Sequence, residues 1–140
     1  MATFAFELVS PTRLLFSGQV DQVDVPGSDG DFGVLAGHAP FITTLKPGIL
    51  TVKEGGGARQ LYVRDGFAEV NSSGLTVLTE FAMPVEELAA GQIAEEIAAA
   101  EERVTEAKDA AARDKAAERV DQLKQVAAQL GSVKAPAQAH

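Results

Sequence analysis

Apolar and polar positions follow two different periods along this chain, and the change falls near residue 84. Before it the period is two: Phe4, Phe6 and Leu8 alternate with Ala5, Glu7 and Val9. Further short β-rich runs lie at 48–53, 59–64, 67–70 and 75–79. Turn-forming punctuation separates them: Pro26-Gly27, Lys46-Pro47-Gly48, Gly55-Gly56-Gly57, Asp65-Gly66 and Asn71-Ser72-Ser73-Gly74. Strands of that length at that spacing predict a compact sandwich or barrel.

Beyond Met83-Pro84 the chain turns to Ala, Glu, Arg, Lys and Gln, all good helix formers. Apolar positions now recur in steps of four and three: Ile93, Ile97, Ala100, Val104, Ala107, Ala111, and then Ala116, Val120, Leu123, Ala127, Leu130. The step of five between Ala111 and Ala116 breaks the phase. Two antiparallel helices with a turn inside 109–114 account for it. Gly131-Ser132 is expected to end the second helix, leaving 134–140 as a loose tail. Alanine offers little surface to bury, so this arm is expected to be weakly held and able to move.

Composition narrows the chemistry. Hydrophobic residues make up 46% of the 140, enough for a real core, and with seven Phe, one Tyr and no Trp that core rests on Val, Leu, Ile and Ala. The lack of cysteine excludes disulfides and thiolate metal sites. A net charge of −8 argues against nucleic acid and anionic lipid. No apolar run approaches the roughly 20 residues of a spanning helix, and the start lacks the basic and apolar regions of a secretory signal. Membrane association would have to go through a partner.

The stretch 26–40 is the densest in turn residues. Gly30, Gly33 and Gly37 could suggest a phosphate cradle, but the stretch is acidic and feeds no helix, so loop geometry is the better reading. Asp29 with Asp31, or Asp21 with Asp24, could suggest an acid/base pair. No nucleophile or oxyanion site stands beside them, and they read as solvated turn and edge carboxylates. His38 is the one histidine outside the tail and makes no metal site alone; it packs or bonds locally, or lies on a partner surface. The helical stripes can pack on the β half, on each other or into a partner, with the intramolecular reading as default. Residues 86–109 carry eight acids and two bases, and 113–124 carry four bases and three acids, so the two helices can attract weakly. These features describe a β-plus-helical-hairpin adaptor without catalysis.

The run Gly-Asp-Phe-Gly-Val-Leu-Ala-Gly-His-Ala-Pro-Phe-Ile-Thr-Thr-Leu-Lys-Pro-Gly at 30–48 resembles the hallmark segment of ATP synthase epsilon subunits. Ala36 stands where that family commonly has proline. Val9-Ser10-Pro11 and Leu15-Phe16-Ser17-Gly18 match as well, and the resemblance spans essentially the whole chain. It implies a mainly β plus α fold: an N-terminal ten-stranded β-sandwich over 1–84, then a C-terminal antiparallel α-helical hairpin over 85–140. It implies a non-catalytic rotor subunit of the central stalk, whose β domain grips the gamma subunit and rests on the ring of c subunits. By position, Asp29 and Asp31 fall in the loop facing the ring, and His38 falls near the gamma contact. No cofactor and no metal are implied. A start without a transit peptide favours a bacterial enzyme, with the subunit peripheral on the cytoplasmic face of the inner membrane.

Some members of that family bind ATP through an Ile/Leu-Asp-x-x-Arg-Ala motif on the first helix. Here Ala94 holds the aspartate position and Ile97 the arginine position, so no ATP site is expected. A regulatory alternative is an inhibitor of ATP hydrolysis, whose helices would reach the alpha and beta subunits of the catalytic head. An independent small hydrolase is a third, distant reading.

Overall fold

The computed structural model describes residues 2–89 and 91–138. The chain divides between Val85 and Glu86 into two compact units.

The first unit is built from eight strands: β1 (Phe4–Ser10), β2 (Arg13–Val20), β3 (Gln22–Val25), β4 (Phe32–Leu35), β5 (Phe41–Thr44), β6 (Gly48–Glu54), β7 (Gly57–Asn71) and β8 (Gly74–Pro84). They are hydrogen-bonded in the order β2-β1-β8-β7-β6-β3-β4, with β5 on β7. Every pairing is antiparallel except β1 with β8. Two long strands serve both layers of the sandwich. The first half of β7 pairs with β6 and the second half with β5. Its partner β8 follows it from Asn71↔Gly74 to Leu61↔Pro84.

The expected ten strands are therefore eight. Counting both halves of β7 and β8 separately would restore ten, and the difference lies at Asp65-Gly66. Both residues have positive φ, 64° and 115°, but they bend one strand and do not end it. A Cβ on Gly66 would collide with the Leu78 carbonyl, so only glycine fits the bend. Across from it sits Thr79, the one buried polar residue among those described. Its hydroxyl donates to a carbonyl, with Arg64 O and Phe81 O both 2.9 Å away, which satisfies backbone that the bend takes out of the ladder.

The hairpins follow their turn chemistry. Glu54 pairs with Gly57 across Gly55-Gly56, whose φ values of 56° and 82° suit a two-residue primed turn. Asn71 Oδ1 accepts from Ser73 N at 2.8 Å in the β7–β8 turn. Alternation then delivers the core: Phe6 and Leu8 of β1, Leu50 and Val52 of β6, Ala68 and Val70 of β7, and Leu75 and Val77 of β8 are all buried. Full burial of each large side chain is worth about 1.5–3 kcal/mol.

The second unit holds a short 3₁₀ turn (Val85–Glu87 crosses into it), α1 (Gln92–Glu106) and α2 (Ala110–Gln138), and the two long helices pack against each other. The connection is Ala107-Lys108-Asp109, earlier than the expected 109–114. Asp109 caps α2: its carboxylate accepts from Ala112 N at 2.7 Å, and its carbonyl accepts from Arg113 N. On α2 the buried stripe runs Val120, Leu123, Val126, with Ala127 exposed where it was expected inside. Valine covers more surface than alanine, and the stripe turns toward it. Gly131-Ser132 does not end α2, which continues to Gln138. One glycine costs only about 1 kcal/mol in a helix, too little to stop it alone. The expected loose tail is thus helical through Gln138, and Ala139 and His140 lie outside the described residues.

Candidate functional site

A row of outward-facing side chains crosses the first unit from strand to strand. Because Leu8, Val77 and Ala68 point inward, their neighbours Val9, Leu78 and Phe67 point out. Register places these directly opposite one another: Leu14 faces Val9, Val9 faces Leu78, Leu78 faces Phe67, and Phe67 faces Thr44. Leu14 is 56% exposed, and Phe67 and Leu78 are each 37% exposed. The next row carries Glu7, Thr76, Glu69 and Ile42, again in register, and Ile42 is 63% exposed. An apolar band thus lies beside two carboxylates, a form suited to a partner with an apolar ridge and flanking cations. Sequence reading missed this band. Its signal was there in the polar-phase positions of each strand that hold Leu or Phe.

The predicted contact residues sit on successive loops. Asp29 is exposed in the β3–β4 loop. Asp31, at the end of that loop, is not a lone charge: its Oδ1 lies 3.0 Å from Lys46 Nζ. His38 is half-buried in the β4–β5 loop, where its Nδ1 donates to Ala39 O at 2.7 Å. Its ring lies 6.5 Å from both Phe32 and Phe41, which meet edge-to-face at 5.2 Å. Phe32 directly follows Asp31, so one aromatic cluster links the acidic loop to the histidine loop. Nothing in this arrangement pairs a nucleophile with a base. Among the described residues no three His, Cys, Asp or Glu are grouped to hold a metal ion.

In the second unit Ala94 is exposed and Ile97 half-buried. Nearer the connection, a cleft of about 400 Å³ opens between α1 and α2, edged by Arg103, Glu106, Lys115 and Arg119. No described helix is long and apolar enough to cross a membrane.

A two-layer β unit with an exposed apolar band, followed in sequence by a helical pair, has the form of an adaptor, and the comparisons identify its family. The family described as ATP synthase delta/epsilon chain, beta-sandwich domain, matches residues 3–85. The ATP synthase epsilon chain of Nitrobacter winogradskyi is 52% identical, over 94% of this chain and 97% of that one. The epsilon chain of Parvibaculum lavamentivorans is 53% identical over 86% and 92%. A chain in the cryo-EM structure of the Euglena gracilis mitochondrial ATP synthase, OSCP/F1/c-ring, superposes with TM-score 0.75 at 28% identity. It covers 93% of this chain and 82% of its own length. The chain belongs to the ATP synthase epsilon chain family, and is a subunit of the F-type enzyme.

Proposed function

We propose that this subunit works in the central stalk as a non-catalytic rotor element, coupling proton flow through the c ring to ATP synthesis in the catalytic head. The β unit binds gamma through the band of Leu14, Val9, Leu78 and Phe67, with His38 near the edge of that contact. The acidic loop of Asp29 and Asp31 rests on the c ring, where exposed charge contributes steering and register more than raw affinity. The subunit is held through these partners on the cytoplasmic face of a bacterial inner membrane. The observation that carries this reading is the apolar band, which crosses four strands in register and is bordered by Glu7 and Glu69.

Changing both Phe67 and Leu78 to Asp tests it. Losing two apolar anchors and introducing two charges should cost at least about 3 kcal/mol, or roughly 100-fold in affinity for gamma. Co-sedimentation with membranes should fall with it, while circular dichroism still reports the folded β unit. A folded double variant that captures gamma as well as the parent would rule the band out as the docking face.

A second reading, inhibition of ATP hydrolysis by helices reaching the alpha and beta subunits, is favoured by the length of α2. Its 29 residues span roughly 44 Å at 1.5 Å per residue.

A further inference from the structure

The Lys46-Pro47-Gly48 segment does more than turn the chain between β5 and β6. With Thr44 and Leu45 just before it, it meets the β3–β4 loop at Pro26, Gly27, Ser28 and Asp31. Lys46 N donates to Pro26 O at 3.1 Å, and Gly27 bridges to Leu45. Ser28 N donates to Thr44 O at 2.9 Å, and the Thr44 and Ser28 hydroxyls are 2.8 Å apart. Leu45 N in turn donates to Gly66 O at 2.9 Å, which fastens the segment to the bend of β7. Gly48 lies so close to Pro26 that a Cβ there would overlap the proline ring. At the far end the Lys46 ammonium reaches Asp31 at 3.0 Å, and the Lys46 side chain is only 21% exposed, an unusual burial for lysine.

We infer that Lys46 is a positioning residue: with Pro47 and Gly48 it clasps the acidic loop and fixes the direction in which the loop meets its partner. This deepens the proposed ring contact and rests on it. The mostly covered lysine side chain holds the ammonium in place, and the ammonium holds Asp31. An ion pair fixed by a mostly covered partner keeps its geometry better than one between two free side chains. Asp31 then serves as the anchored end of the loop, and the exposed Asp29 is left as the carboxylate presented to a basic surface. Removing the Lys46 charge should therefore loosen the loop without unfolding the sandwich, because neither Lys46 nor Asp31 belongs to the core cluster.

Three single variants test this in the full chain: Lys46→Met, which keeps the stem and deletes the charge; Lys46→Arg, which keeps both; and Asp31→Asn, which removes the pair from its exposed side. Amide hydrogen exchange at Ser28 and Gly30 reads the loop directly, because these groups donate to Thr44 O and Gly27 O. The expected result is exchange about tenfold faster in Lys46→Met and Asp31→Asn, and near parental in Lys46→Arg. ATP-driven proton pumping by the assembled synthase reads the ring contact, and should fall in Lys46→Met and Asp31→Asn and stay near parental in Lys46→Arg. Exchange unchanged within twofold in both Lys46→Met and Asp31→Asn would overturn the clasp, whatever pumping does. Faster exchange with unchanged pumping at every salt concentration would uphold the clasp and overturn the ring assignment. Faster exchange together with weakened pumping supports both.

Discussion

Single side chains decide what the helical unit can bind. ATP brings several negative charges, and a site for it must supply cations or oriented donors to replace lost water. Ala94 and Ile97 supply neither, and Glu95, Glu96, Glu101 and Glu102 share the same turns. Of Arg113, Arg119 and Lys124 on α2, only Arg119 edges the cleft between the helices. It is joined there by Arg103 and Lys115, with Glu106 as a counter-charge. We expect equilibrium dialysis of the isolated chain with Mg-ATP to find no saturable binding tighter than about 1 mM, equivalent to roughly −4 kcal/mol. Tighter saturable binding abolished by Arg119→Ala would show that the cleft is a nucleotide site after all.

Elements were legible where one local signal decided them and illegible where two competed. Gly55-Gly56 reads as a hairpin turn because both positions need positive φ and nothing else in the fold claims them. Asp65-Gly66 has the same local chemistry, yet it lies inside β7, because pairing with β8 on both sides and the Thr79 hydroxyl keep the strand continuous. The apolar period located both helices, but alanine at five of the eleven stripe positions left the phase loose, so Val126 was overlooked for Ala127. Likewise the phase slip suggested a turn inside 109–114, whereas the cap at Asp109 puts it at 107–109. Lys46 could be seen only as part of a turn, since its partner Asp31 lies 15 positions away in sequence. The cap offers a test of the hairpin. Asp109→Ala removes about 1 kcal/mol of capping and leaves Ala-Lys-Ala, three residues content to be helical. The straightened arm should become about fivefold more populated, as read by electron–electron distances between spin labels at Ala98 and Ala127. An unchanged distance distribution would mean that the cap does not hold the connection bent.

At the scale of the molecule, the two units differ in what holds them together. The fourteen residues of the main core cluster all lie between Phe6 and Val77, inside the first unit. Its sheet is closed by long-range pairing from β1 to β8, so nothing beyond Val85 is needed to complete it. Among its described residues the second unit buries only Leu88, Ile93, Ala100, Val120, Leu123 and Val126, and helices with so little to bury are marginal alone. A fragment ending at Val85 should therefore fold, with a melting temperature within about 8 °C of the full chain's β transition, the shift expected from roughly 1 kcal/mol in a domain of this size. It should also capture gamma as strongly as the full chain, because the band from Leu14 to Phe67 is entire within it. Hydrolysis by the assembled head then separates the two roles. If the helices inhibit, the enzyme assembled with the fragment hydrolyses ATP faster than the enzyme with the full chain, while equal rates would leave the arm without a part in control. An unfolded fragment, or a folded one that ignores gamma, would mean that the helical unit contributes to the β unit's stability or docking in a way that the sheet and its core do not require.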